Sequence, residues 1–156
     1  MDQHTLFMQQ AIKLAEENIQ QGGGPFGAVI VKDNKVISTG SNQVTQTNDP
    51  TAHAEIVAIR AACLHLNTFS LTDCTIYSSC EPCPMCLSAI FWARMSALYF
   101  GATHQDADKA GFRDALLYEE LTLPLYKRSI KTHQILQQEA LIPFKLWDEY
   151  EFKIDY

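Results

Sequence analysis

The hydrophobic pattern opens with a helical repeat. Its apolar positions, spaced three or four residues apart, are Met8, Ile12, Ala15 and Ile19. This spacing predicts an amphipathic helix over residues 5–21. The run Gly-Gly-Gly-Pro at residues 22–25 ends that helix, because glycine accepts a left-handed cap and proline cannot continue a helix.

Two runs rich in β-branched residues follow the first helix. We expect residues 26–32 and 36–40 to be partner strands, joined by a hairpin turn at Asp33 and Asn34. Residues 41–50 are polar and rich in Asn and Thr, which predicts a surface loop. This loop leads directly into the residues that carry the candidate chemistry.

The middle of the chain alternates between helix and strand. A second helical repeat begins near residue 52, with apolar positions at Ala52, Ile56, Ile59, Cys63 and Leu66. We expect a third strand over residues 74–79, a helix over residues 82–93 and a fourth strand over residues 97–102. The helical connection predicts that the third and fourth strands are parallel, through a right-handed crossover.

The last third of the chain has a weaker pattern. Residues 104–110 are polar and predict a loop, and Asp114 precedes an apolar run as a helix N-cap would. Residues 132–137 predict a fifth strand at a sheet edge. Residues 143–156 are dense in aromatic side chains, which indicates that this segment docks on its own subunit or on a neighbour.

Composition narrows the class of protein. With 156 residues, the chain is long enough for one domain, residues 1–156, with a substantial core. No apolar run approaches the roughly 20 residues that span a bilayer, so we expect no membrane association. The first four residues show no secretory signal, and the five cysteines are an odd number. Free thiols in a reducing cytoplasm fit this composition.

The charge balance bears on the binding partner. The chain has 12 basic and 18 acidic residues, a formal net charge of −6, and no basic cluster along the sequence. Because nucleic-acid binding relies on Lys and Arg that neutralise phosphates, a free base or nucleoside is favoured over a polynucleotide.

Two motifs carry the candidate chemistry. Residues 51–55 read Thr-Ala-His-Ala-Glu, and residues 81–86 read Glu-Pro-Cys-Pro-Met-Cys. His53, Cys83 and Cys86 supply the three protein ligands of a catalytic zinc site, which keeps its fourth position open for water. A histidine and a glutamate two residues apart, with a distant Pro-Cys-x-x-Cys, form the signature of zinc-dependent nucleobase deaminases. Glu55 is then a proton carrier beside the metal.

A closed structural zinc site is the alternative to a catalytic one. Cys80, three residues before Cys83, is the candidate for a fourth ligand. Glu81 and Pro82 lie between the two cysteines and favour an extended or turn conformation there. The catalytic interpretation is therefore preferred.

The chain resembles the cytidine deaminase superfamily and, within it, the short bacterial guanine deaminases, over essentially its full length. The segments that carry the resemblance are residues 23–31, 48–55, 79–86, 92–94, 110–114 and the final Tyr156. The metal motifs are also typical of tRNA adenosine deaminases and of fungal-type cytosine deaminases. The resemblance to guanine deaminases therefore depends on the segment from Trp92 onward.

The resemblance implies a fold and an assembly. The expected fold is an α/β, three-layer α/β/α sandwich with a mixed five-stranded sheet. The expected assembly is a homodimer in which residues 140–156 form a lid over the site of one subunit, either their own or the partner's.

The resemblance also implies roles for individual residues. Asn42, which from the residues alone caps a turn or presents its amide to a base, is expected to contact the substrate. The other expected substrate-binding residues are Phe26, Ala54, Trp92 and Tyr156. Asp114 is expected to assist proton transfer, with Arg113 keeping it ionised.

The expected activity is zinc-dependent hydrolysis of guanine to xanthine and ammonia. Two alternatives stay open. One is deamination of another substrate, such as tRNA adenosine, cytosine, another aminopurine or a triazine. The other is a non-catalytic zinc-binding domain on the same scaffold, against which the unliganded Glu55 argues.

Overall fold

A computed structural model of the protein describes residues 2–156. The chain forms two compact units, one up to Leu117 and one over Tyr118–Tyr156. The first unit contains the sheet and all residues of the two metal motifs.

The sheet of the first unit is mixed. Its strands are β1 (Gly27–Lys32), β2 (Lys35–Ser41), β3 (Cys74–Cys80) and β4 (Ala97–Ala102), in the order β2-β1-β3-β4. Strand β1 is antiparallel to β2, and β3 is parallel to β4, as the pattern predicted. Strand β1 is also antiparallel to β3, which joins the two pairs into one sheet. Asp33 and Asn34 form the hairpin turn with φ of 49° and 60°, the left-handed pair that a two-residue turn between twisted strands requires.

Eight α-helices accompany the strands in the described part of the chain. They are α1 (Gln3–Gln20), α2 (Val44–Thr47), α3 (Ala54–Leu66), α4 (Pro84–Trp92), α5 (His104–Lys109), α6 (Asp114–Thr122), α7 (Gln137–Ala140) and α8 (Ile142–Glu149). No helix among the described residues combines the length and apolar character needed to cross a lipid bilayer.

Helices cover both faces of the sheet. Alternate strand residues point to opposite faces, so Val29 and Val31 pack with Ala11 of α1 on one side. On the other side, Ala28 and Ile30 pack among residues of α3 and α4. The first unit therefore has the predicted layers of helix, sheet and helix.

Small residues let α3 lie directly on β2. A Cβ atom on Gly40 would collide with the Ala54 carbonyl oxygen and would come 2.7 Å from the Ala58 backbone nitrogen. Ala54 and Ala58 are themselves fully buried at this contact. The contact fixes the amino-terminal end of α3, where the first metal motif lies.

The expected fifth strand is wrong. Residues 131–136 form no strand, and the sheet has four strands among residues 2–156. Leu136 has a left-handed φ of 53°, which ends any extended conformation, and α7 begins at the next residue. Ile135 is 77% exposed, so the alternation of polar and apolar side chains that suggested a strand does not correspond to a buried face.

Two expected loops contain helices. Residues 104–110 form α5, because Thr103 and Asp106 make a capping box in which each side chain accepts a hydrogen bond from the other's backbone N–H. Within residues 41–50, Val44–Thr47 form the short helix α2, which ends at Asn48 in a left-handed conformation. Polar composition concealed both helices.

The second unit has no buried side chain among its residues. It contains the end of α6, a 3-10 turn over Leu125–Lys127, and helices α7 and α8. Trp147, Tyr150 and Phe152 form a row of neighbouring rings with centroids 6.3 and 6.0 Å apart.

Candidate active site

Three ligand groups meet at the ends of two helices. The ligand atoms of His53, Cys83 and Cys86 all lie within 4.8 Å of one another. His53 Nδ1 is 3.6 Å from Cys83 Sγ and 3.5 Å from Cys86 Sγ. A tetrahedral zinc ion with its usual bond lengths sets nitrogen–sulfur separations of about 3.5 Å. The donor set and its spacing therefore fit zinc.

Helix starts position the ligands. His53 is the N-cap of α3 and Cys83 is the N-cap of α4, both in an extended conformation. Each helix thus begins two residues later than its sequence pattern predicted, and Pro84 at the first position of α4 favours that start. Cys86 lies in the first turn of α4, and its backbone N–H, which has no partner within the helix, favours a thiolate at Cys83.

A hydrogen bond couples the two ligand cysteines. The hydrogen bond from Cys86 lowers the pKa of Cys83 to about 4. Donation of that bond, together with burial, raises the pKa of Cys86. The hydrogen bond with Cys83 likewise raises the pKa of His53. A divalent cation at this position favours loss of the protons that these groups still hold.

Glu55 lies beside the ligands without joining them. Its side chain is 6% exposed, and the Ser78 hydroxyl donates a hydrogen bond of 3.2 Å to Glu55 Oε1. Burial raises the pKa of Glu55. A bound zinc ion would oppose that shift, since it adds positive charge nearby. This carboxylate is held in place and is suited to exchange a proton.

A small cleft opens over the ligands. The lining residues are Phe26, Asn42, His53, Glu55, Cys83, Phe112 and Asp114. The fold therefore brings to one place six of the residues predicted for metal binding, proton transfer and substrate binding, while Cys86 lies fully buried behind them.

Asp114 is the first residue of α6 and faces this cleft. Burial, followed by the charge of Cys83, raises its pKa. The expectation that Arg113 keeps Asp114 ionised is wrong in direction, because Arg113 is exposed and water screens its charge. A raised pKa suits a proton donor better than an acceptor.

Residues 1–102 match the family model of the cytidine and deoxycytidylate deaminase zinc-binding region. The chain belongs to this deaminase family. Its His53, Cys83 and Cys86 are positioned to bind the metal ion of the zinc-binding region, and the protein is a hydrolytic deaminase.

Relatives of this deaminase include proteins that act on guanine. It is 50% identical to the guanine deaminase of Bacillus subtilis over 154 residues, which are 98% of this chain and 99% of the relative. An X-ray structure of guanine deaminase from Bacillus subtilis matches with a TM-score of 0.96 and covers 100% of this chain and 99% of that one.

A tRNA deaminase is also similar, over a shorter part of the chain. The tRNA-specific adenosine deaminase of Streptococcus pyogenes is 40% identical over 122 residues, 78% of this deaminase and 74% of the relative.

A structure of guanine deaminase from Nitrosomonas europaea matches with 31% identity and a TM-score of 0.66, and covers 69% of this chain and 63% of that one.

Three predicted substrate-binding residues of the deaminase do not line the cleft. Ala54 is fully buried in the core at the start of α3. Trp92 ends α4 and is 66% exposed, and Tyr156 is 71% exposed. Their roles stay predictions.

Cys80 is not part of the ligand cluster. Its Sγ lies 3.6 Å from the Thr103 carbonyl oxygen, to which it donates, and burial raises its pKa to about 11. A thiol held in this way is a poor fourth ligand. The cluster found among the described residues therefore keeps three protein ligands.

Glu81 fixes the loop that carries Cys83. Its Oε2 atom accepts two hydrogen bonds from His104, one of 2.6 Å from Nδ1 and one of 2.9 Å from the backbone N–H. The Glu81 backbone N–H donates to the Ala102 carbonyl oxygen at 2.8 Å. The ligand loop is thus tied to the end of β4 and the start of α5, although His104 had been assigned no role from sequence.

Sequence reasoning missed several residues of the site. Phe112 lies with its ring edge against the Phe26 ring, with centroids 4.8 Å apart, and lines the cleft. Ser78 holds Glu55, and Asn18 donates to the Asn42 carbonyl oxygen. Phe112 belongs to residues 110–114, which carry part of the family resemblance. Ser78 lies in β3 and Asn18 in α1, and the hydrophobic pattern of these elements indicates only which residues are buried.

Proposed function

We propose that this deaminase converts guanine and water to xanthine and ammonia. The observation that carries the proposal is the 50% identity to a guanine deaminase over 154 residues, combined with a cleft whose lining includes the metal ligands His53 and Cys83 and the carboxyl groups of Glu55 and Asp114. Water oxygen becomes bonded to C2 of the base, and the bond from C2 to its amino nitrogen breaks.

Three residues hold the metal. His53, Cys83 and Cys86 bind zinc, and their spacing supports this assignment. When bound, zinc supplies the Lewis acidity that lowers the pKa of water.

Glu55 moves the protons. It accepts a proton from the attacking water and delivers it to ring N3. This proton balances the negative charge that the added hydroxide brings to the base. The hydrogen bond from Ser78 leaves its other carboxylate oxygen for this exchange. Asp114 supplies a proton to the departing amine, in keeping with its raised pKa, and regains a proton from the hydroxyl group on C2 as the carbonyl of xanthine forms.

The base lies between aromatic and amide groups. The rings of Phe26 and Phe112 form an apolar wall. Asn42 Oδ1 accepts a 3.3 Å hydrogen bond from the Val44 N–H, so Nδ2 is the group that donates to an acceptor on the base. Ala54, whose side chain is in the core, contributes its main chain at the start of α3.

The active form is a homodimer with residues 140–156 as a lid. Two observations support an assembly. Phe91 and Trp92 of α4 are 74% and 66% exposed, and within the lid Phe144, Phe152 and Tyr156 are 68%, 74% and 71% exposed. Apolar surface on this scale favours a protein partner. Trp92 and Tyr156 then contact the substrate of an assembled site.

No nucleic acid is required. Similarity to a tRNA-specific adenosine deaminase makes tRNA adenosine the second candidate substrate. The net charge of −6 opposes binding to a phosphate backbone. We place the enzyme in the cytoplasm, where a reducing environment maintains its five free thiols.

A substrate panel tests the proposal. Zinc-loaded protein is incubated with guanine, adenine, cytosine or a tRNA anticodon stem-loop, and ammonia release is measured with and without a chelator. We expect ammonia from guanine alone and its loss on chelation. Release from another substrate keeps the chemistry and overturns the choice of base, and no release from any of them favours a non-catalytic zinc domain.

A further inference from the structure

Asn18 is a buried polar residue near the cleft. It lies in the last turn of α1 and is 2% exposed. Its Nδ2 atom donates two hydrogen bonds of 2.8 Å, one to the Gly24 carbonyl oxygen and one to the Asn42 carbonyl oxygen. The two hydrogens of one amide therefore bridge the loop that follows α1 and the residue that follows β2.

One of the two bridged carbonyls belongs to Asn42, which lines the cleft, and the other belongs to Gly24, which is hydrogen-bonded to the lining residue Phe26. The Gly24 carbonyl oxygen also accepts the Phe26 backbone N–H at 2.8 Å. The Phe26 carbonyl oxygen in turn accepts the Asn42 N–H at 3.1 Å. Asn18, Gly24, Phe26 and Asn42 thus form a closed ring of hydrogen bonds, and two of its members line the cleft.

The surroundings leave the Asn18 amide little freedom. The Gly23 N–H donates to the Asn18 carbonyl oxygen at 2.9 Å, which places Gly23 against the side chain. A Cβ atom on Gly23 would collide with the Asn18 amide group. A Cβ atom on Gly24 would come 3.3 Å from Asn42 Cγ. Both glycines therefore make room for this amide and for Asn42.

We infer that Asn18 is a positioning residue of the substrate site. It does not line the cleft, but it sets the main-chain position of Asn42 and, through Gly24, that of Phe26. A small displacement of these residues weakens contacts that orient a bound base. The inference rests on the proposed function, because that proposal assigns base binding to Phe26 and Asn42.

Asn18→Asp tests the inference with little change of shape. The variant removes both donor hydrogens when ionised and turns a negative charge toward two carbonyl oxygens. We expect KM to rise about tenfold or more and kcat to change less than about threefold, since ground-state binding is what is lost. Zinc content and melting temperature are measured on the same samples.

Ser38→Ala is the matched control. The Ser38 hydroxyl is also buried and donates to a carbonyl oxygen, that of Ala58, at 2.8 Å. It lies on β2 outside the cleft lining. Its loss tests the general effect of removing a buried hydrogen bond, and we expect KM to stay within about twofold of the wild-type value.

Gly23→Ala gives an independent route to the same effect. The added methyl group displaces the Asn18 amide without removing it, from a half-buried loop position, and its melting temperature is measured alongside KM. The same rise in KM is expected. If Asn18→Asp yields no folded protein, this variant alone decides the outcome.

A double-mutant cycle shows whether Asn18 acts through Asn42. In an Asn42→Ala background, Asn18→Asp is expected to raise KM much less than in the wild type, because the contact that it positions is already gone. Independent effects, an unchanged KM in zinc-loaded Asn18→Asp and Gly23→Ala, or an equal rise in Ser38→Ala each overturn the inference.

The cycle uses the substrate on which the wild type is most active. Activity on a base other than guanine therefore overturns the proposed substrate and leaves the positioning role to be decided by the same variants. Absence of turnover on every substrate overturns both.

Discussion

Glu55 and Asp114 are two carboxylic acids at one cleft, and burial raises the pKa of each. Their settings differ. Glu55 is in the first turn of α3 beside the metal ligands and is held by Ser78. Asp114 is the first residue of α6 and follows both metal motifs in the sequence. Different settings are how two similar acids take different steps of proton transfer.

Replacement of Glu55 by Gln preserves size and removes the exchangeable proton. We expect turnover of guanine to fall at least about a thousandfold, since general acid–base catalysis is lost at two steps. Zinc stays bound, because Glu55 is not a ligand. Ammonia release and zinc content are measured, with Glu17→Gln on the exposed face of α1 as the control. An active, zinc-loaded Glu55→Gln enzyme would disprove the role.

Replacement of Asp114 by Asn separates catalysis from helix capping. Asn has the size of Asp at this first position of α6 and loses only the interaction of its charge with the helix dipole, so the melting temperature should change little. Loss of the proton donor should lower kcat by about 10- to 100-fold. Exposed Glu119→Gln, later in the same helix, is the control. A fall in melting temperature with unchanged kcat would show that Asp114 only stabilises α6.

Residue types and spacing were enough to predict the metal ligands and Glu55, because few combinations of His, Cys and Glu fit zinc chemistry. The surrounding support was not predictable in this way. Ser78 and Asn18 are recognisable only when their partners in distant segments are known. Arg113 shows the opposite error. It is adjacent to Asp114 in sequence and was expected to keep that residue ionised, but burial raises the pKa of Asp114.

At the scale of elements, the site depends on where α3 and α4 begin. The sequence pattern located both helices, but it placed their starts two residues early, because Ala52 and Pro82, with which the predicted helices begin, precede the N-cap residues His53 and Cys83. The expected fifth strand failed for a related reason. Alternation over residues 132–137 describes side chains, while a strand also needs a neighbouring edge and extended dihedral angles, which Leu136 lacks.

Gly40→Ala tests the packing of α3. The added Cβ atom would meet the backbone of Ala54 and Ala58, which cannot move without the helix. We expect a loss of about 1–3 kcal/mol in the free energy of unfolding, typical of overpacking. We also expect weaker zinc binding, because His53 is displaced. Gly22→Ala, where nothing lies within 4 Å but φ is +82°, is the control for backbone strain alone.

Retention of tight zinc binding in Gly40→Ala would contradict this prediction. Metal affinity is measured by competition with a chromogenic chelator, and stability by denaturant unfolding. A change in stability without a change in affinity would mean that the amino-terminal end of α3 is held by the metal motifs themselves.

At the scale of the whole molecule, the partner that we propose is a second copy of the chain. Exposed aromatic side chains in α4 and in the last segment favour such an assembly. Sequence predicted the aromatic density of this segment, but the surface on which it docks involves contacts that no local pattern encodes.

Mixing two inactive variants shows which subunit each lid covers. The Glu55→Gln variant has an intact lid and an inactive site. The Tyr156→Ala variant has an impaired lid and an intact catalytic site. If the lid closes over the partner's site, a mixed dimer contains one complete site, and an equal mixture recovers about a quarter of wild-type activity. Activity no greater than the mean of the separate variants would show that each lid closes on its own subunit. Ile154→Ala in place of Tyr156→Ala is the control.

The metal ligands also connect distant parts of the chain. His53 and Cys83 are 30 residues apart in sequence, and the intervening segment contains α3 and β3. An ion that joins them acts as a cross-link, and closure of a loop of this length is worth about 3–4 kcal/mol by the entropy it removes from the unfolded chain. Zinc would therefore stabilise the folded chain as well as take part in the reaction. When zinc is scarce, more of the enzyme would be unfolded and open to proteolysis, so the amount of enzyme in a cell would follow the supply of the metal.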